Sequence, residues 1–477
     1  MRVVIHADAS PRMGTGHVMR CLALATALHR DGAQVTLASD EMTDLLRARA
    51  ASLEVEVVRR RSAPPDPDWV VFDGYHLGPN DRDALAPAGV PRLVVDDLGD
   101  TPDDATIVLN QNIYAMPAGP SHGGPDAELL AGPAYALLSP EFADSRADAG
   151  PQPSVARRVL VTMGGADPQN ATAAVIDALA TLTQGLGVRI IIGASHPSPA
   201  ETERMARRAG FEVVRDVPSL APHVAWSDVV VTACGSSVLE IACVGRPMIG
   251  VVLAQNQELV AAAVEREGLG IVTGRHPQLD AGKLANDLVA MGADHGRRER
   301  AAASGRRLVD GRGAGRTARV MRTGPLRLRP ATLEDGPRLL EWRMDPVTRD
   351  ASFDTGAIAL DTHMAWLREQ LASQDARIWI GILGDTPVGV VRFSLEGGRA
   401  TVSVTVATDR RSTGIGPRLI SLGCSHLAAS TSVSHVDAWI RRGNTASEGA
   451  FIRAGFTLVS DELADRRRYQ LPLSPMG

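Results

Sequence analysis

Short runs of β-branched residues alternate with amphipathic stretches over the first part of the chain. The run VVIHAD at residues 3–8 is followed at residues 17–32 by HVMRCLALATALHRDG, where apolar residues recur with the spacing of a helix. A second helical stretch, TDLLRARA, and the strand-like runs QVTLASD, EVEVVRR, WVVFDGY and LVVDDLG follow. Strands that alternate with helices are typical of βαβ units, so the sequence predicts an α/β fold with a parallel sheet.

The alternation breaks in a segment rich in Pro, Gly and Ala and begins again at residue 158. RVLVTMGGADPQNATAAVIDALATL predicts a strand, a glycine turn and a helix, and further strand-like runs follow. We therefore predict two Rossmann-like domains that face each other, over residues 1–150 and 151–322.

A third domain with a different pattern of strands and helices is predicted over residues 326–477. It begins with a strand and a helix that Thr332 caps, and the turn signals GDTP and EGG indicate antiparallel hairpins. Two more helix and strand pairs complete an α+β domain. The preceding GRGAGRTARVMRTGP is predicted to be a linker and not a buried element.

Charge and cysteine content exclude several classes of protein. The net charge of the 477-residue chain is −5 without a basic face, which argues against nucleic acid as the main partner. No run of about 18 apolar residues predicts a membrane span, and the N-terminus enters a strand without a signal peptide. Four scattered cysteines indicate buried thiols in a reducing cytoplasm: Cys21, Cys234, Cys243 and Cys424.

Three glycine loops follow predicted strands and precede predicted helices: MGTGHVMR, TMGGADPQNAT and TACGSSVLE. Such loops can bind phosphates, because free N–H groups and the helix dipole favour anions there. A glycine turn can equally serve packing alone. The candidate phosphate ligands are Gly14, Gly16, Gly164, Gly165, Gly235, Ser236 and Ser237.

Glu240 lies one turn into the helix after the third loop. Its carboxylate could accept both ribose hydroxyls of a nucleotide, or it could simply interact favourably with the helix N-terminus. Asn256 and Gln257 follow the next strand and are expected to face the same crevice.

Four segments together resemble the nucleotide-sugar hydrolase family of pseudaminic acid biosynthesis, over about residues 1–320. They are HADASPRMGTGHVMRCLALA, DGY, VTMGGADPQNAT and GSSVLEIACVGRPMIGVVLAQNQ. The resemblance implies a GT-B architecture and release of UDP from UDP-2,4-diacetamido-2,4,6-trideoxy-β-L-altropyranose. One departure is Ala233-Cys234 before Gly235, where a second glycine is usual.

The resemblance also assigns roles to individual side chains. It makes His17 the base that activates water, a task suited to imidazole because it titrates near neutrality. Tyr75 would lie near the sugar, and Asp8, Arg20 and Asp73 would shape the pocket. His17 could instead be a helix-cap residue and Tyr75 a solvated strand-end residue. Asp97 could be a ligand or a loop cap, and no metal is expected.

DRRSTGIGPRLI contains the pattern Arg-x-x-Gly-x-Gly, which looks like the diphosphate loop of GNAT acetyltransferases. NTASEGAFIRAGF matches a later motif of that family. The preceding EWRMDPVTRDASF and HMAWL resemble the members that modify amino-sugar nucleotides. The resemblance implies acetyl-CoA as co-substrate, bound by Val406, Arg411, Gly414, Ile415, Gly416 and Asn444.

Phe451 stands where many GNAT enzymes carry the tyrosine that protonates the departing thiolate. Ser352 and His363 are candidates on the acceptor side, although they could be a polar residue at a helix end and a helix surface residue. The sequence does not name the base.

Together these features predict a bifunctional cytoplasmic enzyme that uses a UDP-amino-sugar and acetyl-CoA. It would acetylate the 4-amino group of a UDP-sugar and then hydrolyse the product. The alternatives are a GT-B glycosyltransferase that uses a similar UDP-sugar and a non-catalytic protein that binds nucleotide-sugars.

Overall fold

The computed structural model describes residues 1–10, 13–97, 99, 104–115, 127–182, 185–461 and 463–473. The chain divides into two compact units. The first comprises Met1–Gly99, Leu109–Ala115 and Ala131–Arg319, and the second comprises Asp100–Val108, Met116–Leu130 and Val320–Gly477. Three sheets form their framework, of which two have seven strands and one has six.

The first sheet has the strand order β3-β2-β1-β4-β5-β6-β7, and β1 pairs in parallel with both β2 and β4. All five residues of β4 are buried, as expected for a strand with both faces covered. The strands are β1 (Arg2–Ala7), β2 (Gln34–Ala38), β3 (Glu56–Val58), β4 (Trp69–Asp73), β5 (Arg92–Val95), β6 (Ile107–Asn110) and β7 (Glu128–Ala131). The helices are α1 (Gly16–Arg30), α2 (Asp44–Ser52), α3 (Pro79–Leu85) and α4 (Pro140–Asp148).

The second sheet is parallel and has the order β10-β9-β8-β11-β12-β13. Its strands are β8 (Arg158–Thr162), β9 (Gly187–Ile192), β10 (Glu212–Arg215), β11 (Val229–Ala233), β12 (Met248–Val252) and β13 (Gly270–Arg275). The helices are α5 (Ala171–Ala180), α6 (Pro199–Arg208), α7 (Ala221–Trp226), α8 (Ser237–Val244), α9 (Glu258–Arg266), α10 (Ala281–Ala293), α11 (His295–Leu308) and α12 (Gly313–Thr323). Phe142 of α4 packs into the core of this sheet with Ile241 of α8. The predicted pair of Rossmann-like sheets is confirmed.

The prediction that GRGAGRTARVMRTGP is an unburied linker is wrong. Most of it forms α12, whose Ala318 and Met321 are buried. A Cβ at Gly313 would lie 2.2 Å from the carbonyl oxygen of Ala136, so glycine permits this close packing. The small and apolar residues recur at helical spacing, which the abundance of Gly and Arg hides in a reading of composition alone.

The third sheet has the order β14-β15-β16-β17-β18-β20-β19 and is antiparallel except between β17 and β18. Its strands are β14 (Leu326–Pro330), β15 (Ala376–Leu383), β16 (Thr386–Glu396), β17 (Arg399–Val406), β18 (His435–Arg441), β19 (Thr457–Ser460) and β20 (Arg466–Pro472). The helices are α13 (Gly336–Met344), α14 (Pro346–Ala351), α15 (Leu360–Ala372), α16 (Ile415–Ser430) and α17 (Thr445–Arg453). This sheet confirms the predicted α+β class.

A buried ion pair lies inside the second unit. Arg418 of α16 donates from Nε and Nη2 to the two carboxylate oxygens of Glu128, at 2.5 and 2.6 Å. The N–H of Leu326 also donates to Glu128, at 2.8 Å. The exposed fractions of the two charged side chains are only 4% and 2%. Residues that are 290 positions apart therefore share one buried contact in this unit.

We expect Glu128→Gln to lower the free energy of unfolding by about 3 kcal/mol, because it leaves the Arg418 charge buried without a counter-ion. Thermal denaturation of the full chain, followed by circular dichroism, measures this loss. Glu128→Leu combined with Arg418→Met should be less harmful than Glu128→Gln alone. Asp287→Asn is the control, since it breaks an exposed pair with Lys283. Equal midpoints for Glu128→Gln and this control would contradict the expectation.

Candidate functional site

His17 lies where the first two central strands of the first sheet end. It is the second residue of α1, and its ring is positioned by Asp73, the last residue of the adjacent β4. His17 Nδ1 lies 2.7 Å from Asp73 Oδ1. His17 is 8% exposed and Asp73 is fully buried.

This contact fixes the tautomer of the imidazole. An ionised carboxylate only accepts hydrogen bonds, so Nδ1 carries the proton and donates it to Asp73. The lone pair of His17 is then on Nε2, which has no hydrogen bond to any other residue that the structure describes. A histidine held in this way by a buried carboxylate is arranged to accept a proton from a bound molecule.

Arg20 and Asp73 were predicted to bind substrate, but the structure places them behind His17. Arg20 donates from Nε and Nη2 to Asp73, both at 2.6 Å, and from Nη1 and Nη2 to Asp97. Burial raises the pKa of Asp73, but Arg20 and then His17 outweigh burial and hold that pKa well below its usual range. Arg20 thus keeps the partner of His17 ionised, and its guanidinium is not free for a phosphate.

Asp97 is the second carboxylate of this network. It accepts hydrogen bonds from Arg20, from the hydroxyl of Tyr75 at 3.1 Å and from Asn112 at 2.9 Å. Its carbonyl oxygen accepts from Tyr114 at 2.6 Å. Sequence reasoning missed Asn112 and Tyr114, because neither belongs to a recognisable motif.

Tyr75 is exposed and lies with its ring edge against His17, at 5.0 Å between ring centres. Desolvation of the hydroxyl and the Asp97 carboxylate raise the pKa of Tyr75 above its usual range. The tyrosine therefore stays protonated and can position a molecule next to His17. Asp8, by contrast, is buried and accepts from Ser39 and from His76, so its oxygens are used inside the protein.

The glycine loops of the two Rossmann-like sheets meet at close range. A Cβ at Gly165 would lie 2.6 Å from Thr15 Oγ1, and a Cβ at Gly16 would lie 3.5 Å from Ser236 Oγ. Gly14 has φ +79°, a conformation that favours glycine. His17 is therefore next to the loops at 164–165 and 235–236, as the predicted crevice requires.

The loop at Gly164 and Gly165 is not the start of a helix, which corrects one reason for choosing these residues. Helix α5 begins at Ala171, and the carboxylate of Asp167 accepts the N–H groups of Ala171 and Thr172 at 2.8 and 2.9 Å. Since Asp167 already occupies that helix end, the two glycines can offer only their own backbone groups to a ligand.

Helix α8 does begin at the predicted place. Its first residue is Ser237, and the side chain of the N-cap residue Ser236 forms no capping hydrogen bond. Gln257 lies beside this turn, with Nε2 3.8 Å from the position of a Cβ on Gly235, while its Oε1 accepts the N–H of Leu253. Asn256 is exposed. The start of α8 is thus open to an anion.

Glu240 is half-buried in the first turn of α8 and forms no ion pair with a described residue. Burial raises the pKa of Glu240 to about 7, and a hydrogen bond with Ser237 only partly opposes this. A carboxylate without a cation suits neutral hydroxyl partners.

The glycine loop of the third sheet leads into a helix, as the sequence predicted. Gly414 has φ +91° and precedes α16, where Ile415 is buried. A Cβ at Gly416 would touch Val406 Cγ2 at 3.7 Å, so β17 and the helix start pack closely. Strands β17 and β18 pair only from Arg399 to Thr401 and separate beyond that point. The gap and the free helix N-terminus lie at the same end of the sheet.

The side chains of Arg411 and Asn444 are used within the protein. Arg411 donates to Asp345 at 2.5 Å and to Thr348 at 2.8 Å. Asn444 caps α17 by accepting the N–H of Ser447 at 3.1 Å. Either residue could therefore contribute to a ligand site only through its backbone.

The residues considered for proton transfer in the third sheet have distinct surroundings. Phe451 is buried against Phe456, with ring centres 5.0 Å apart. Ser352 donates its hydroxyl to the carbonyl of Thr348. The alternative that His363 is a helix surface residue is wrong, because it is only 5% exposed and packs against Trp366.

Two family comparisons agree with these folds. Residues 158–307 match the glycosyltransferase family 28 C-terminal domain. Residues 325–457 match the acetyltransferase (GNAT) domain. The chain is a fusion of these two kinds of domain. The third sheet is thus an acetyltransferase domain, preceded by a GT-B-like pair of Rossmann-like sheets.

The curated relatives are distant. An uncharacterized protein of Methanocaldococcus jannaschii is 20% identical over 274 residues, 54% of this chain and 56% of its own. The spore coat polysaccharide biosynthesis protein SpsG of Bacillus subtilis is 22% identical over 199 residues, 41% of this chain and 58% of its own. The chain thus spans less than two thirds of either relative. MurG of Acinetobacter baumannii is a similar structure, with 16% identity, a TM-score of 0.49 and coverage of 68% of this chain and 99% of MurG.

Three further properties concern the residues that the structure describes. All four cysteines are buried and unpaired, which confirms the part of the prediction that concerns buried free thiols. In the described parts of the chain, no group of three or more His, Cys, Asp or Glu side chains is placed to hold a metal ion. No helix within those parts is long and apolar enough to cross a bilayer.

We expect Glu240→Gln to stabilise the protein at alkaline pH. The folded-state pKa of about 7 exceeds the ordinary value of 4.5, so the stability that protonated Glu240 supplies is present below pH 4.5 and is lost as the pH rises through 7. Glutamine keeps its neutral form at every pH. The unfolding midpoint of the variant should exceed that of the wild type by a few degrees at pH 8.5 and match it near pH 4.5.

The exposed Glu369→Gln serves as the control and should show no such pH dependence. A constant difference between Glu240→Gln and wild type across this pH range would refute the raised pKa.

Proposed function

We propose that the chain is a bifunctional nucleotide-sugar enzyme of pseudaminic acid biosynthesis. The GT-B-like part hydrolyses UDP-2,4-diacetamido-2,4,6-trideoxy-β-L-altropyranose to UDP and the free sugar. The acetyltransferase domain transfers the acetyl group of acetyl-CoA to the 4-amino group of the UDP-linked precursor. The hydrolase assignment depends on one observation, the His17 imidazole that Asp73 orients beside the two glycine loops. Residues 1–150, 151–322 and 326–477 are the corresponding proposed domains.

In the proposed hydrolysis, Nε2 of His17 takes a proton from a water molecule as the oxygen attacks the anomeric carbon. The bond between that carbon and the diphosphate oxygen breaks, and its electron pair leaves with UDP. Asp73 stabilises the imidazolium that forms, because its carboxylate accepts the Nδ1 proton. Tyr75, held by Asp97, is placed to orient the sugar or the water.

The second sheet would hold the nucleotide. The uncapped start of α8 at Ser236 and Ser237 offers N–H groups and hydroxyls to the diphosphate. Glu240, one turn further, would accept the ribose hydroxyls. Stabilising the diphosphate also makes it a better leaving group, since its charge develops as the bond breaks.

A glycosyltransferase is the second candidate, because residues 158–307 match a glycosyltransferase domain. Incubation of the UDP-sugar with the protein alone distinguishes the two activities. UDP release without an acceptor supports the hydrolase, and release only with an added acceptor supports the transferase. Absence of release in both cases would favour a protein that only binds nucleotide-sugars.

We expect His17→Asn to reduce UDP release by about 10²- to 10⁴-fold, because the variant lacks the general base. Binding of UDP, measured by titration calorimetry, should stay within about twofold of the wild type, since the second sheet holds the nucleotide. Asp73→Asn should slow release by a similar factor, because an amide no longer fixes the tautomer. Glu240→Ala should show the opposite pattern, with weaker UDP binding. Turnover near the wild-type rate in His17→Asn would exclude this base.

In the proposed acetyl transfer, the amine nitrogen attacks the thioester carbon of acetyl-CoA. An amide bond forms, the thioester bond breaks, and the CoA sulfur leaves with the electron pair and takes up a proton. The separation of β17 from β18 would leave backbone groups free for the pantetheine arm, and the start of α16 would accept the diphosphate. Phe451 cannot donate the proton, so it comes from another group or from water.

Gly414→Glu should reduce acetyl transfer at least about 100-fold, because its carboxylate would occupy the place of the CoA diphosphate and repel it. UDP release by the full-length variant should be unchanged. Gly384→Glu is the matched control, since Gly384 also has a positive φ and open space around its Cβ position. It should keep both activities. Loss of both activities in a folded Gly414→Glu protein would mean that the two reactions do not occur at separate sites.

A further inference from the structure

Two arginines on the acetyltransferase domain lack a compensating charge. Arg392 lies on β16 and Arg343 on α13, and neither forms an ion pair with a carboxylate in the described part of the domain. The guanidinium carbon of Arg392 lies 5.4 Å from the ring centre of Trp366 on α15. Arg343 donates from Nη2 to the carbonyl of Asp354, while its Nη1 is buried and has no partner in the part of the chain that the structure describes.

A buried histidine completes the cluster. His363 is 5% exposed, and its ring centre lies 5.3 Å from that of Trp366, so the tryptophan contacts both His363 and Arg392. His363 Nε2 is buried and has no hydrogen-bond partner among the described residues. A buried polar atom normally has a hydrogen-bond partner, so Nε2 of His363 is available to a bound molecule.

The charges in this cluster repel one another. Arg392 is exposed, yet desolvation of its guanidinium, followed by the charge of Arg343, lowers the pKa of Arg392. Burial and the charge of Arg392 likewise lower the pKa of His363, against a hydrogen bond with the backbone of Gly336. A bound anion would relieve this repulsion.

The position of the cluster connects it with the acetyl-transfer site. Arg392 is directly opposite Ser403 on β17, and β17 separates from β18 just beyond Thr401. Arg392 thus lies on β16, next to β17, and is opposite the part of β17 that no longer pairs with β18. An amine acceptor that reaches the gap would place its neighbouring groups near Arg392.

We propose that Arg343, Arg392 and His363 form a subsite for the diphosphate of a nucleotide-linked amine acceptor. This subsite rests on the proposed acetyl transfer and explains how the domain would select a UDP-linked amine over a free one. Two guanidinium groups match the charge and the several acceptor oxygens of a diphosphate, and such charge-assisted hydrogen bonds are strong.

Steady-state acetylation by the full-length protein tests the subsite with two acceptors, the UDP-linked 4-amino-sugar and the same amino-sugar without nucleotide. Arg392→Gln should raise the KM for the UDP-linked acceptor by about tenfold and leave kcat within about threefold, whereas the KM for the free amino-sugar should not change. Arg368→Gln is the control, because Arg368 is exposed on α15 two residues beyond Trp366 and so faces away from it. An equal change in KM for both acceptors would overturn the proposal.

A binding measurement separates failure of the subsite from failure of the proposed function. Inorganic pyrophosphate is titrated calorimetrically into wild type, Arg392→Gln and Arg368→Gln, each saturated with CoA so that the CoA loop is filled. The three proteins share every other anion site, so the difference between their isotherms reports Arg392. Weaker binding in Arg392→Gln alone supports the subsite even if the wild type acetylates neither amino-sugar, a result that would refute the acetylation step. Identical isotherms for all three proteins would refute the subsite.

Discussion

The arrangement of the first sheet depends on one buried charge, the carboxylate of Asp73 at the end of β4. A fully buried carboxylate is tolerated only when charged or polar donors compensate for the lost water, and Arg20 supplies two such hydrogen bonds. The same carboxylate orients His17. Because Arg20 also reaches Asp97, which holds Tyr75, a single ion-pair network positions both side chains that face the crevice.

Close approach of backbones is the second constraint on this site. The loop that carries His17 and the loop at Gly165 lie this close because Gly165 has no side chain, since a Cβ there would lie 2.6 Å from Thr15 Oγ1. This explains why the glycines matter even at the loop that does not begin a helix. Of the two glycine loops of the second sheet, only the one at Gly235 leads directly into a helix, because α8 begins at Ser237 and α5 begins at Ala171.

In the acetyltransferase domain, the candidate site is formed by backbone geometry and not by an ion-pair network. The gap proposed for its ligand lies between strands that pair over three residues and then diverge, and the proposed anion site lies at the start of a helix that follows a glycine with a positive φ. The unit that contains it also includes Glu128, whose carboxylate compensates Arg418 one turn into that helix. The domain is therefore held by a residue that no reading of local composition would associate with it.

The sequence by itself determined the secondary structure elements and the positions of the glycine loops. The period of apolar residues predicted the parallel sheets and the α+β domain, and glycines after strands located the turns at Gly14, Gly235 and Gly414, because these signals are local in the chain. Only the tertiary structure decided what individual polar side chains do. Arg20, Asp73, Arg411 and Asn444 looked like ligand contacts but bind other protein groups, and α12 is buried although its composition resembles a linker. Partners such as Asn112 for Asp97 and Glu128 for Arg418 are distant in sequence, so their pairing follows from packing, which local patterns do not encode.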